Sequence, residues 1–260
     1  SLLSGGLDSF CGANYIQSEN INTVYCGYDT NTMDQAHIQR IFEFVKTQNG
    51  DSTLVSFSKV RLIKKKNTQR TRSLLFLALA IATSDYYSAE KIYLFENGIM
   101  SLNPGFQTRG VTRTTHPKTI KLFQDILDDV GIQVEIVHPF LFKTKGQIVG
   151  ELTKPFMEYI GRTRSCSRSR QDTRYALAGV TSCGACVPCL LRKISLYAAG
   201  VEGLDHQYFR GYEIVNSDND YKSAMEYFKT FSKSIRENRI FSDIDFRQSI
   251  ILIRMQTLHY

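Results

Sequence analysis

Tryptophan is absent from this chain, and proline is scarce, with 5 in 260 residues. Seventeen glycines fall singly or as one pair, without period, which excludes a collagen-like or low-complexity chain. Long hydrophobic runs are also missing. The longest, Leu74 to Ala82, is far shorter than the ~20 residues that cross a bilayer, and it reads as a buried helix. The first residues lack the basic start and apolar stretch of a secretory signal. Cysteine is limited to six, four of them bunched between 166 and 189, too few and too clustered for a disulfide framework. These absences lead us to expect a cytoplasmic protein with no membrane partner.

What remains is ordinary globular material: 42% hydrophobic, 22% charged, and long enough for one sizeable core with a small lobe. The formal net charge of +7 favours acidic partners such as nucleotides, nucleic acid or an acidic protein surface. Ser1-Leu2-Leu3 reads as the end of a strand that begins earlier. After it, strands at about 21–28, 53–57, 91–95 and 133–137 alternate with helical patterns at about 8–17, 33–48, 72–84 and 118–130. A further helix begins near Gly146. This βαβ alternation predicts an α/β fold with a doubly wound parallel sheet and ligands beyond the carboxyl ends of its strands. We expect three units: a nucleotide-binding α/β domain over 1–160, a cysteine segment over 161–200 and a helical extension over 201–260.

Ser4-Gly5-Gly6-Leu7-Asp8-Ser9 lies between the first strand and its helix. Two glycines let the backbone approach a phosphate, and a helix start offers free N–H groups and partial positive charge to an anion. Ser4 and Ser9 add hydroxyl donors. Asp8 can orient the loop or hold a magnesium ion on phosphate oxygens. No Gly-Lys-Ser/Thr follows, so this is not a Walker loop.

Cys183, Cys186 and Cys189 form CxxCxxC, with Cys166 seventeen positions ahead of it. Four thiolates suit a closed tetrahedral Zn²⁺ site; an iron–sulfur cluster uses the same ligands, and plain buried thiols are the remaining option. Arg192 and Lys193 are placed to offset the charge of such a cluster. Cys11 and Cys26 read as core residues.

Together these motifs resemble the 7-cyano-7-deazaguanine synthase family of PP-loop ATP pyrophosphatases. The likeness covers about the first 195 residues: SGGLDS, Arg72 to Leu77, Lys143-Thr144-Lys145, Thr163 to Cys166, CGACVPC and Leu191-Arg192. The resemblance implies the adenine nucleotide alpha hydrolase type of sheet with a C-terminal zinc-binding helical lobe. It also implies ATP cleaved to AMP and pyrophosphate in activating the carboxylate of 7-carboxy-7-deazaguanine. In that reading residues 4–9 and Arg72 hold ATP, Asp8 and Lys145 serve the chemistry, and Mg²⁺ and Zn²⁺ are required. For Lys145 an exposed surface lysine is the alternative, and for Arg72 an arginine that only starts a helix.

The chain departs from that family at Glu96-Asn97-Gly98, at Arg113-Thr114-Thr115-His116, in its long arginine-rich gap before Cys183, and in about sixty extra C-terminal residues. These departures resemble the antiphage-defence branch, which implies transfer of the activated base to a protein amine rather than to ammonia. Glu96 and Asn97 would then read the base edge or hold magnesium, and Arg113 and His116 would contact phosphate or the activated carboxylate. His116 also suits a turn cap before Pro117. The alternatives are a 7-cyano-7-deazaguanine synthase using ammonia in queuosine biosynthesis, a tRNA-modifying enzyme and a non-catalytic zinc adaptor. A homodimer or a larger complex is expected, and nucleic acid remains open as a partner.

Overall fold

A computed structural model of the chain describes residues 1–29, 32–58, 72–102, 115–166, 180, 182–210 and 219–237. Its strands are short and parallel. β1 (Val24–Asp29) pairs with β2 (Thr53–Ser58) in register from Val24↔Thr53 to Asp29↔Ser58, and β3 (Lys91–Tyr93) pairs with β4 (Glu135–Val137). Residues 1–3 join the two pairs. Leu2 forms a parallel bridge with Cys26, Leu3 N–H donates to the Cys26 carbonyl at 2.8 Å, and Leu2 N–H reaches the Tyr93 carbonyl at 3.5 Å. The spatial order is therefore β2, β1, residues 1–3, β3, β4.

Alternation along this layer sends neighbouring side chains to opposite faces. Ile92 and Leu94 enter one hydrophobic cluster, together with Leu77 and Ala80 of α3 (Arg72–Tyr86) and Ile120 and Leu127 of α5 (Pro117–Asp129). Tyr93 and Phe95 face the other cluster. That one gathers α1 (Leu7–Ser18), α2 (Thr32–Asn49), α6 (Lys145–Gly150), α7 (Lys154–Tyr159) and α8 (Val187–Ala198) through Phe10, Ile41, Ile148, Phe156 and Leu196. Helices thus cover both faces. Phe44 of α2 stacks on Tyr159 of α7 at 3.9 Å, and Asn14 of α1 accepts from Thr153 N–H at 3.0 Å, so the first and later helices are tied directly.

One sequence expectation needs correcting. The apolar run in α3 is not wholly buried: Leu77 is enclosed, but Leu74 is 52% and Leu75 40% exposed. An outer-layer helix buries one stripe, and its opposite side faces outward whatever its composition.

Helix starts follow local chemistry. α5 begins at Pro117 with the His116 ring accepting from Lys118 N–H at 3.2 Å, and α6 begins with a capping box between Thr144 and Gln147. α4 (Gly98–Ser101) is capped by Asn97, whose Oδ1 accepts from Met100 N–H. α9 (Asn219–Arg236) buries Ala224, Tyr227 and Phe231 and packs on α8. No helix among the described residues is long and apolar enough to cross a membrane.

Candidate functional site

A cavity of about 350 Å³ opens where residues 1–3 and β3 end side by side. The serine–glycine loop forms one wall. Ser9 Oγ accepts from Ser4 N–H at 3.2 Å, lies 3.1 Å from Ser4 Oγ and donates to the Gly6 carbonyl at 3.1 Å. Gly5 has φ +73°, and a Cβ there would meet the His37 ring at 2.6 Å, so only glycine makes this turn. Its carbonyl is fastened from two sides, by Arg164 N–H at 3.1 Å and His37 Nε2 at 2.9 Å. Burial lowers the His37 pKa, so a neutral ring with its proton on Nε2 makes that bond.

α4, α5 and α6 start with a side-chain cap; α1 starts at Gly6 without one, as α7 and α8 also do. The first amides of a helix have no intrahelical acceptor, so those of α1 remain for a ligand, with the positive end of the helix dipole behind them. This is the local chemistry of an anion site.

Around the loop stand a lysine, an amide and a carboxyl group from distant parts of the chain. Lys145 Nζ lies 2.8 Å from Asp8 Oδ2, with only 4% of the lysine side chain exposed. Lys145 is therefore no surface lysine. Asn97, fully buried, donates from Nδ2 to Asp8 Oδ1 at 3.3 Å. With a cation and an amide on its two oxygens, Asp8 is held to orient the loop. Glu96 lines the same cavity and accepts from Thr115 Oγ1 at 3.1 Å. Burial, then the nearby Asp8 carboxylate, pushes the Glu96 pKa up to about 7, against the pull of Lys145 and the Thr115 hydrogen bond.

The structure thus brings together Ser4, Gly6, Leu7, Asp8, Ser9, Glu96 and Lys145 around one cavity. Gly5 and Asn97 stand behind these residues as supports. His116 is not part of the lining; its ring caps α5, the role a residue before an N1 proline adopts. Arg72 heads α3 with its side chain outside the description, and Arg113 lies outside the described residues.

Sequence reading missed Arg164 as a member. It lines the cavity, and its guanidinium is anchored 3.1 Å from the buried Asp34 of α2. Those partners are 130 residues apart, and no local pattern links them.

Beside this cavity sits the cysteine cluster. The Sγ atoms of Cys166, Cys183, Cys186 and Cys189 all lie within 4.8 Å of one another, with pairs at 3.9 and 4.0 Å. Tetrahedral Zn²⁺ with bonds of about 2.3 Å places its sulfurs about 3.8 Å apart, so the cage fits that ion. A multi-iron cluster with bridging sulfides needs a wider one. Gly184, at φ +84°, makes the tight knuckle that lets Ala185 and Cys186 N–H point at Cys183 Sγ, at 3.5 and 3.4 Å. Cys186 takes the N-cap position of α8 and Cys189 lies in its first turn, where the helix dipole favours thiolates. Hydrogen bonds from the other three thiols hold the Cys166 thiol far below its usual range.

Lys193 donates to the Gly184 and Arg210 carbonyls beside the knuckle. Arg192, expected to offset the thiolates, turns instead to Asp205 at 2.7 Å and to Thr163 and Ile160, because a buried guanidinium takes the carboxylate that can satisfy its fork. Cys11 and Cys26 are buried and unpaired, as core residues. The chain matches no protein-family model and no curated protein.

Proposed function

We propose that the chain is a PP-loop ATP-dependent ligase that adenylates the carboxylate of 7-carboxy-7-deazaguanine and passes the activated base to an amine. The observation that carries this reading is the uncapped start of α1. It opens, with the Ser4–Ser9 loop, onto a cavity that also holds Lys145 and Glu96. The strand order supports a doubly wound sheet, whose switch point falls between residues 1–3 and β3, where such folds take nucleotides.

The loop amides and serine hydroxyls bind the phosphates of ATP, accompanied by Mg²⁺. The substrate carboxylate attacks the α-phosphorus, the bond to the bridging oxygen breaks, and pyrophosphate leaves. Lys145, fixed by Asp8, and Arg164, fixed by Asp34, offset the charge that grows on the departing group. An amine then attacks the acyl carbon and releases AMP. No side-chain nucleophile is needed; holding the two reactants in line supplies the main acceleration. Zn²⁺ on the four cysteines acts as a structural clasp. Cys166 lies two residues beyond Arg164, whose N–H holds the Gly5 carbonyl, so the clasp supports the loop.

The acceptor is a protein amine, in line with the resemblance to the defence branch; nitrile synthesis with ammonia is the competing product. The test is ATP–pyrophosphate exchange stimulated by 7-carboxy-7-deazaguanine. Purified protein that forms ADP, or shows no substrate-dependent exchange, excludes this function.

A further inference from the structure

Glu96 leaves the carboxyl end of β3 at the head of a buried row of hydrogen bonds. Thr115 Oγ1 donates to Glu96 Oε2 at 3.1 Å; it lies 2.9 Å from Ser101 Oγ, which lies 3.0 Å from His138 Nε2. Ser101, Thr115 and His138 are each more than nine-tenths buried. His138 Nδ1 is buried without a partner. An orphaned N–H is a greater loss than an orphaned lone pair, so the ring proton belongs on Nε2. Burial lowers the His138 pKa to about 4 and keeps the ring neutral. The direction of every hydrogen then follows: His138 donates to Ser101, Ser101 to Thr115, Thr115 to Glu96. Three donors in series end on one carboxylate oxygen. The other, Oε1, accepts no hydrogen bond among the described residues, in a side chain that lines the cavity.

We propose that Glu96 is the general base of the amine-transfer step, with Thr115, Ser101 and His138 as its positioning residues. This rests on the adenylation reading above and adds the group that takes the proton. In the step, the amine nitrogen bonds to the acyl carbon, the bond from that carbon to the AMP oxygen breaks, and AMP leaves with the electron pair. One N–H proton passes to Glu96 Oε1 and from there to solvent through the cavity.

The charged and titratable surroundings suit that task. Glu96 faces Asp8 from α1, Lys145 from α6 and Tyr227 from α9, and Arg164 shares the cavity. Burial and Asp8 outweigh Lys145 and Thr115, which leaves the carboxyl near neutrality, where a base is both ionised and strong enough to accept a proton.

The two half-reactions separate the possibilities, with ATP, 7-carboxy-7-deazaguanine and glycinamide as the probe amine. In E96Q, single-turnover amide formation should fall by about 10²–10³-fold more than ATP–pyrophosphate exchange falls, and it should lose its acid limb near pH 7. T115V removes a bond to the ionised carboxylate, so its acid limb should move to higher pH with the plateau retained; T115S, which keeps the hydroxyl, should restore the limb. Equal loss of exchange and transfer in E96Q overturns the proposal, because Glu96 would then serve binding. Undiminished transfer in E96Q, or an unmoved limb in T115V, overturns it as well. A wild-type protein lacking exchange defeats the adenylation reading itself, whereas normal exchange with E96Q-insensitive transfer defeats only the base.

Discussion

Replacing Arg192 by Met asks what fastens the cysteine lobe to the α/β body. The guanidinium is fully buried. It donates to Asp205 Oδ1 from Nε at 3.0 Å and Nη2 at 2.7 Å, to Thr163 Oγ1 at 2.8 Å and to the Ile160 carbonyl at 2.9 Å. Met fills much of the same volume but leaves the Asp205 carboxylate enclosed without its cation. Removing one partner of a buried pair costs about 3–5 kcal/mol. Asp205 keeps donors in His206 N–H at 2.8 Å and the Tyr208 hydroxyl, and Ile160 keeps the Thr163 hydroxyl, so the lower end, about 3 kcal/mol, applies. For a chain of this size that corresponds to roughly 6–12 °C in Tm.

The same variant carries a pH signature. Burial pushes the Asp205 carboxyl up, but the Arg192 charge and hydrogen bonds from Arg192 and Tyr208 outweigh it and hold the pKa below its ordinary value. A depressed folded-state pKa stabilises above the unfolded value, about pH 4, and that contribution disappears as pH falls through the folded value. Urea titrations followed by circular dichroism should therefore show the wild-type advantage at pH 7 shrinking below pH 4. R192K should recover only part, since an ammonium cannot span the carboxylate, hydroxyl and carbonyl together. A loss under about 1 kcal/mol at pH 7, or one that is the same at pH 3, refutes the reasoning.

Lys145→Met should lower substrate-dependent ATP–pyrophosphate exchange by about 100-fold or more and destabilise by about 2 kcal/mol, because Asp8 keeps only Asn97; exchange and urea unfolding measure the two. Elemental analysis should find one zinc per chain, and either a strong chelator or Cys186→Ser should expose 182–210 to proteolysis and lower Tm; an unchanged digestion pattern counts against the clasp. Glu96 should make stability fall with rising pH. Its folded pKa, about 7, exceeds the unfolded value, so its contribution is complete below about pH 4 and lost through pH 7. E96Q should flatten that slope by about 2 kcal/mol between pH 5 and 8, read from urea titrations across that range.

The legible parts of this protein were those whose chemistry is local. His116 before Pro117, read as a turn cap, and the glycines ahead of α1 mark helix starts through contacts within a few residues. CxxCxxC placed three thiols within one knuckle and one helical turn, so its metal-binding chemistry could be read from spacing. Lys145 could not be decided in that way. A lysine at a helix start is exposed or buried according to what the fold sets against it, here the Asp8 carboxylate. The fate of Arg192 was equally hidden, because Asp205, Thr163 and Ile160 meet it in space and no local pattern links them.

The sequence by itself determined the alternation of strands and helices, the serine–glycine turn ahead of α1 and the CxxCxxC knuckle, since each follows from side chains a few positions apart; the fold brings Cys166 to that knuckle from seventeen positions earlier. Only the tertiary structure decided that the loop, Lys145, Glu96 and Arg164 share one cavity, and that Thr115, Ser101 and His138 stand in a row behind Glu96. The physical reason is that parallel strands gather the ends of distant segments on one edge of the sheet. Charges collected there are partly desolvated together, and their partners and proton affinities are set by that enclosure.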